Sequence, residues 1–259
     1  MAFDPFGDAA SRGYLRNSAG TNDMHQVQRL EHAAFRANVA EALYNLSKAE
    51  SIGPAEIQQT HKTLFSSVYP WAGETRDKHA PESAITKGGR ADLFAHPGDV
   101  GAAMDYALKQ GNDKKFMETK PSEVMGSLAY AHPFLEGNGR TIMAVHSELS
   151  DRAGISIHWE KTNKVEYLQA LTMELEQPGR GHFDNYLKPF VQKQVDQQTQ
   201  IQTLQVLPGL GPAEARSAEQ AKPVPTDLAN PAAETPSKPA EAAKVEIPKG
   251  ETPKNGQRM

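Results

Sequence analysis

Between Ala131 and Thr141 the chain reads Ala-His-Pro-Phe-Leu-Glu-Gly-Asn-Gly-Arg-Thr. That stretch gathers an imidazole (His132), a carboxylate (Glu136), a guanidinium (Arg140) and the turn Gly137-Asn138-Gly139. A Gly-Asn-Gly turn that opens a helix exposes backbone N–H groups, and the helix N-terminus adds partial positive charge, so an anion fits there. Arg140 falls in the first helical turn, against the helix dipole. That small cost makes sense if the guanidinium faces a phosphate and binds it by fork-like hydrogen bonds. Glu136 offers carboxylate oxygens to a hard cation such as Mg²⁺, which in turn bridges phosphates. His132 precedes a proline, so its backbone is expected to leave the α region. Its imidazole would then serve as the general base for an attacking hydroxyl. Residues of these types in this order point to phosphate chemistry on a nucleotide. Taken singly they are a helix-end histidine, a surface acid, a loop and a surface arginine; their company reverses the odds. His61, His79, His96, His146, His158 and His182 have no such company and read as structural. So do Pro133 and Phe134, which set the turn and anchor the loop.

The elements that must position this loop are helical. Val124 and Leu128 precede it at a spacing of four, and Ile142, Val145 and Leu149 follow it at three and four, ending near Gly154. Further back, Asp23 is a plausible N-cap for a helix to about Ser47, with Phe35, Val39, Leu43 and Leu46 on one stripe. Pro54 opens a second helix carrying Ile57, His61, Leu64, Phe65 and Val68, which Tyr69-Pro70-Trp71-Ala72-Gly73 stops. Residues 74–97 differ in kind. Short extended runs flank Gly88-Gly89, so a small β-hairpin flap is expected there. Helical patterns resume at about Pro97 to Gln110 and Lys120 to Tyr130. After the central loop and its helix, Ile155 to Trp159 is a short extended link. Thr162 is a candidate cap for a helix through Leu175, and a last helix covers about His182 to Gln194.

Composition bounds the rest. In 259 residues there is room for one or two domains, and the first two-thirds can bury a core. A net charge of −4 with mixed signs argues against broad binding of nucleic acid. There is no cysteine, so disulfides, thiolate metal sites and a cysteine nucleophile are excluded, and a reducing cytoplasm is compatible. The N-terminal residues lack the basic and apolar regions of a signal peptide, and no apolar run approaches a membrane span, so a soluble, cytoplasmic protein is expected. Residues 1–23 read as an irregular arm, with Tyr14 to Asn17 as its anchor, and residues 24–195 as the catalytic domain. From 196 onward the chain is first glutamine-rich and then rich in Pro, Ala, Glu and Lys. Nine of its 18 prolines fall after residue 207, so residues 196–259 are expected as a disordered tail.

The run His132-Pro133-Phe134-Leu135-Glu136-Gly137-Asn138-Gly139-Arg140-Thr141 resembles the signature of the Fic (Fic/Doc) family, and the likeness extends from about Tyr14 to about Val191. The resemblance implies an all-α, Fic-type helical bundle with a β-hairpin flap. It also implies transfer of AMP from ATP, with Mg²⁺, to a Tyr, Ser or Thr hydroxyl of a target protein, releasing pyrophosphate. In that reading His132 is the general base and Glu136 the Mg²⁺ ligand. Gly137, Asn138 and Gly139 cradle the phosphates, and Arg140 contacts the diphosphate. Tyr69 to Arg76 is similar to the family segment that leads into the flap. Lys87 and Phe94 match positions where similar proteins carry a lysine and a clamping aromatic; the alternative for Phe94 is a core residue of the hairpin. A target segment would add to the flap as a strand. The Doc branch has lysine where this chain has Gly139, so nucleotidyl transfer is implied over phosphoryl transfer. Many relatives carry a second arginine where this chain has Met143. That departure leaves open a nucleotide-binding protein with little catalysis, or another nucleotide donor. The inhibitory pattern of relatives finds no full match: Thr172 to Glu176 is followed by Gln177. A small separate antitoxin-like partner is the regulator that remains, and a toxin or translocated effector is the implied setting.

Overall fold

A computed structural model describes residues 16–87 and 89–210. The expectations for residues 1–15, Gly88 and 211–259 lie outside the described residues. The order is α1 (Met24–Lys48), α2 (Pro54–Phe65), α3 (Arg76–His79), α4 (Val100–Asn112), α5 (Lys114–Thr119), α6 (Pro121–Ala131), α7 (Asn138–Arg152), β1 (Ile155–Ile157), α8 (Lys164–Glu176), α9 (His182–Leu187), β2 (Val191–Lys193) and α10 (Gln197–Gln205). The architecture is all-α apart from one small antiparallel sheet, in which Ile155, Ser156 and Ile157 face Lys193, Gln192 and Val191.

Local chemistry sets the helix ends. The Asp23 carboxylate accepts the N–H groups of His25 and Gln26 and starts α1, and Pro54 opens α2 with a fixed φ. The cap of α8 is Asn163, not Thr162: the Asn163 side chain accepts from Val165 and Glu166, while the Thr162 hydroxyl donates to the Trp159 carbonyl. At the centre lies α7. Its residues from Thr141 to Ser150, Met143 excepted, are buried, and it packs on α1, α2 and α6. A helix enclosed on most of its circumference is a rigid base for whatever sits at its N-terminus.

Three expectations are corrected. The flap is reduced to its tip. Lys87 and Arg90 exchange N–H to carbonyl bonds at 3.1 Å as an isolated antiparallel bridge, and a single helical turn, α3, forms in the charged run that leads into it. Instead of a long edge strand, side chains tie the tip down: Lys87 Nζ donates to the Thr172 hydroxyl and Arg90 pairs with Glu176 at 2.9 Å, both on α8. The last helix, expected to reach Gln194, stops at Leu187. Pro189 cannot donate the bond that would continue it, and the chain turns into β2. The domain also does not end at 195. Helix α10 follows, with Leu204, Leu207 and Leu210 buried, and Arg36 and Gln205 exchange side-chain to carbonyl hydrogen bonds. Each buried leucine is worth roughly 1.5–3 kcal/mol relative to exposure, enough to hold a polar, glutamine-rich helix on α1.

Candidate active site

The chemistry-bearing loop spans the gap between α6 and α7, and its conformation is held from three sides. His132 caps α6 in the left-handed region (φ 41°, ψ 60°), and among the described residues no other non-glycine has a positive φ. Such strain persists only where the surroundings over-determine it. Here Arg76 does so: its Nε donates to the His132 carbonyl at 2.8 Å, its Nη2 donates to the Ala95 carbonyl, and its backbone N–H donates to the Pro133 carbonyl at 2.8 Å. Arg76 is fully buried, and burial lowers its pKa from the usual arginine value. The imidazole packs against Phe94, with ring centroids 4.7 Å apart. Phe94 is 7% exposed and forms a wall for His132. Burial first, then the positive charges of Arg76 and Lys87, push the His132 pKa down to about 3. The ring is therefore a neutral proton acceptor throughout the physiological range.

His61 holds the loop from beneath. It is completely buried and stacks on Phe134 at 3.8 Å between centroids. The Gly73 N–H donates to its Nδ1 at 2.8 Å, which fixes the tautomer, so its Nε2–H donates to the Glu136 carbonyl at 3.0 Å. Burial lowers its pKa to about 3. His61 is thus a structural histidine, as its sequence context indicates, but one that positions the loop.

Asn138 provides the third support. It is 4% exposed, and its side chain closes a ring on Phe134: the Phe134 N–H donates to Oδ1 and Nδ2 donates to the Phe134 carbonyl, both at 2.8 Å. Its amide is spent on the loop itself, so only the backbone of Asn138 is left for a phosphate cradle. Gly137 is required by its geometry. At φ 79° an added Cβ would lie 2.8 Å from Phe65 Cε2 and 3.1 Å from His61 Nε2. Gly139 differs, since a Cβ there would meet nothing within 4 Å. Gly137→Ala should therefore cost about 3 kcal/mol, combining left-handed strain with overpacking, while Gly139→Ala should stay within about 0.5 kcal/mol. Urea unfolding of both variants checks this; equal midpoints would refute it.

Glu136, Gly137, Gly139 and Arg140 open into one cavity of about 560 Å³, which Glu31, His32, Met143 and Lys164 also line. His132, Phe94 and Lys87 do not line that cavity. Arg140 pairs with Glu31 at 2.9 Å, and its guanidinium lies 4.9 Å from the Phe65 ring centroid. Its Nη1 is buried and, among the described residues, has no hydrogen-bond partner. A phosphate oxygen would satisfy it. The Glu136 pKa is raised to about 7, by burial first and then by the nearby Glu31 carboxylate. Two carboxylates pressed together in a partly dry site form a place where a cation relieves repulsion. No group of three metal-ligating side chains occurs among the described residues, so a cation there would take its remaining ligands from phosphate and water. Glu31 and Arg76 are the two positioning groups that the sequence reading passed over. Glu31 stands four residues from both Val27 and Phe35 on the buried stripe of α1, where a carboxylate needs a partner.

A buried helix thus points its N-terminal turn, an arginine and an acidic neighbour at a cavity, with a histidine at the loop's other end, an arrangement suited to holding an anion. Residues 51–149 match the Fic/DOC family. Over 169 residues it is 30% identical to protein adenylyltransferase VbhT of Bartonella schoenbuchensis, covering 64% of this chain and 35% of that protein. Over 167 residues it is 27% identical to the probable protein adenylyltransferase y4lH of Sinorhizobium fredii, covering 61% of this chain and 81% of that protein. The chain thus spans about a third of the first relative and most of the second. The fold is shared with an N-terminal Fic domain of a VirB-translocated Bep effector from Bartonella quintana, solved with bound ADP. The TM-score is 0.59 at 21% identity, over 71% of this chain and 94% of that one.

Proposed function

We propose that the chain is a protein adenylyltransferase that moves AMP from ATP to a hydroxyl of a target protein. The observation that carries this reading is a single loop with two faces. One face presents the α7 N-terminus, Arg140 and Glu136 to a cavity, and the other holds a neutral imidazole against Phe94. The relatives named as adenylyltransferases support the same class of chemistry.

The step balances as a substitution at the α-phosphorus. The target hydroxyl gives its proton to His132, its oxygen bonds to Pα, the bond from Pα to the bridging oxygen breaks, and pyrophosphate leaves. Backbone N–H groups at the start of α7 and the unpartnered Nη1 of Arg140 hold the charge that develops on the leaving phosphates. Glu136 would hold Mg²⁺, which supplies charge neutralisation between the phosphates. The open space at Gly139 leaves the α-phosphate approachable from solvent, which favours nucleotidyl over phosphoryl transfer.

The target segment is proposed to lie along the tip at Lys87, paired as an added strand. No helix among the described residues is long and apolar enough to cross a membrane, and we place the reaction in an aqueous compartment, the bacterial cytoplasm or a cell into which the protein is delivered.

The test uses the full chain with Mg²⁺, a cell lysate and ATP labelled at the α-phosphate. Label on a protein band is the expected result. Label from γ-labelled ATP instead would mean phosphoryl transfer. No label from ATP, GTP or UTP, with nucleotide still bound, would replace this reading with a nucleotide-binding protein that lacks catalysis.

A further inference from the structure

Met143 stands one turn beyond Arg140 on α7, lines the same cavity and brings no charge to it. The opposite wall does carry one. Lys164, the first residue of α8, is exposed and lines the cavity, and among the described residues it has no carboxylate partner. Its path is built into the fold. Gly209, which follows α10 and also lines the cavity, has φ 91°, and a Cβ there would lie 2.8 Å from Lys164 Cδ and 3.2 Å from Nζ. The alkyl chain of Lys164 is therefore laid over a bare glycine, which leaves its ammonium at the cavity margin. The fields of the two walls meet at His32, whose pKa is lowered to about 4 by burial first, then by Arg140, Lys164 and Arg36.

We infer that Lys164 is the contact for the terminal phosphate of a nucleoside triphosphate whose inner phosphates lie on the Gly137–Arg140 turn. The inference rests on the nucleotide-transfer reading above. Arg140 already shares its charge with Glu31, so a third phosphate would find its uncommitted cation across the cavity, on α8. A contact to the terminal phosphate alone would distinguish a triphosphate from a diphosphate. It also ties α8 and the segment after α10 to the ligand, which gives residues 197–210 a part in binding.

Isothermal titration of the full chain with AMPPNP and with ADP, each with Mg²⁺, tests it. The wild-type chain should prefer AMPPNP. Lys164→Met should weaken AMPPNP about tenfold, the scale of one charge-assisted hydrogen bond, and leave ADP unchanged. Lys164→Arg should keep the preference. An exposed lysine is removed without loss of core packing, so an unchanged melting temperature is expected alongside. If Lys164→Met binds AMPPNP as the wild type does, or weakens both ligands equally, the assignment is wrong while the nucleotide-transfer reading stands. If the wild-type chain binds neither nucleotide, that reading fails and this one fails with it.

Discussion

His132→Ala should lower adenylyl transfer by about 10²–10⁴-fold while nucleotide affinity changes by less than about threefold. The asymmetry follows from where the ring sits. It packs on Phe94 and does not line the cavity that Glu136, Gly137, Gly139 and Arg140 share. Removing it takes away the proton acceptor and leaves the anion site intact. Because its pKa is held near 3, the transfer rate should also lack the usual histidine limb near pH 6.5. Rate against pH from 5.5 to 8.5, run beside the variant, measures both. A variant that keeps more than about a tenth of the wild-type rate would remove His132 from the base role. A rate that rises tenfold per unit below pH 6.5 would instead show that the catalytic imidazole titrates in the ordinary range, against the lowered pKa of His132.

The second large effect is on stability in acid. His61, His146, His32 and His132 all have pKa values below the ordinary 6.5, at about 3, 4, 4 and 3. For His61 and His146 the hydrogen bonds show why burial wins. Protonation of His61 would break the bond its Nδ1 accepts from Gly73, and His146 is fully buried with its Nε2–H donated to the Pro121 carbonyl at 2.8 Å. The unfolded chain takes up these protons below pH 6.5 and the folded chain does not. The stability they contribute is therefore complete above 6.5 and is lost as pH falls toward 4. Glu136 acts in the opposite direction between about 7 and 4.5, because its folded pKa is raised, and offsets about one histidine. Of these histidines, only His61 and His146 are fully buried, each worth at most about 1.4 kcal/mol per pH unit. With the Glu136 offset and a smaller share from the part-exposed His32 and His132, the net loss should be on the order of 2 kcal/mol per unit between pH 6.5 and 4.5. Urea midpoints at pH 7, 6 and 5 read it directly. A midpoint that holds constant or rises on acidification would show that these histidines titrate freely.

The helices around the loop are legible in the residues because their causes are local. Asp23, Pro54 and the apolar stripes of α1, α2, α6 and α7 act over a turn or two of chain. Failures cluster where a distant partner decides. The flap has strand-like residues and a Gly-Gly turn, yet its tip is tied to Thr172 and Glu176, more than eighty positions away, and it forms a single bridge. The segment after 195 is polar and rich in glutamine, but three leucines near its end find α1 and the cavity rim, and burial outweighs composition.

For the site, the order of residues from His132 to Arg140 by itself determined that an imidazole, a carboxylate, a glycine-flanked turn and a guanidinium occur together, since loop and helix start lie within one short stretch. It could not determine how each is used. Asn138 spends its side chain on Phe134, an outcome set by how tightly the loop closes. Arg140 faces Glu31, and His132 is held in a left-handed conformation by Arg76, both from elements far away in the chain. Whether a titratable group is charged, strained or free depends on what is packed against it. Only the tertiary structure brings those neighbours together, because burial and charge act through space and not along the sequence.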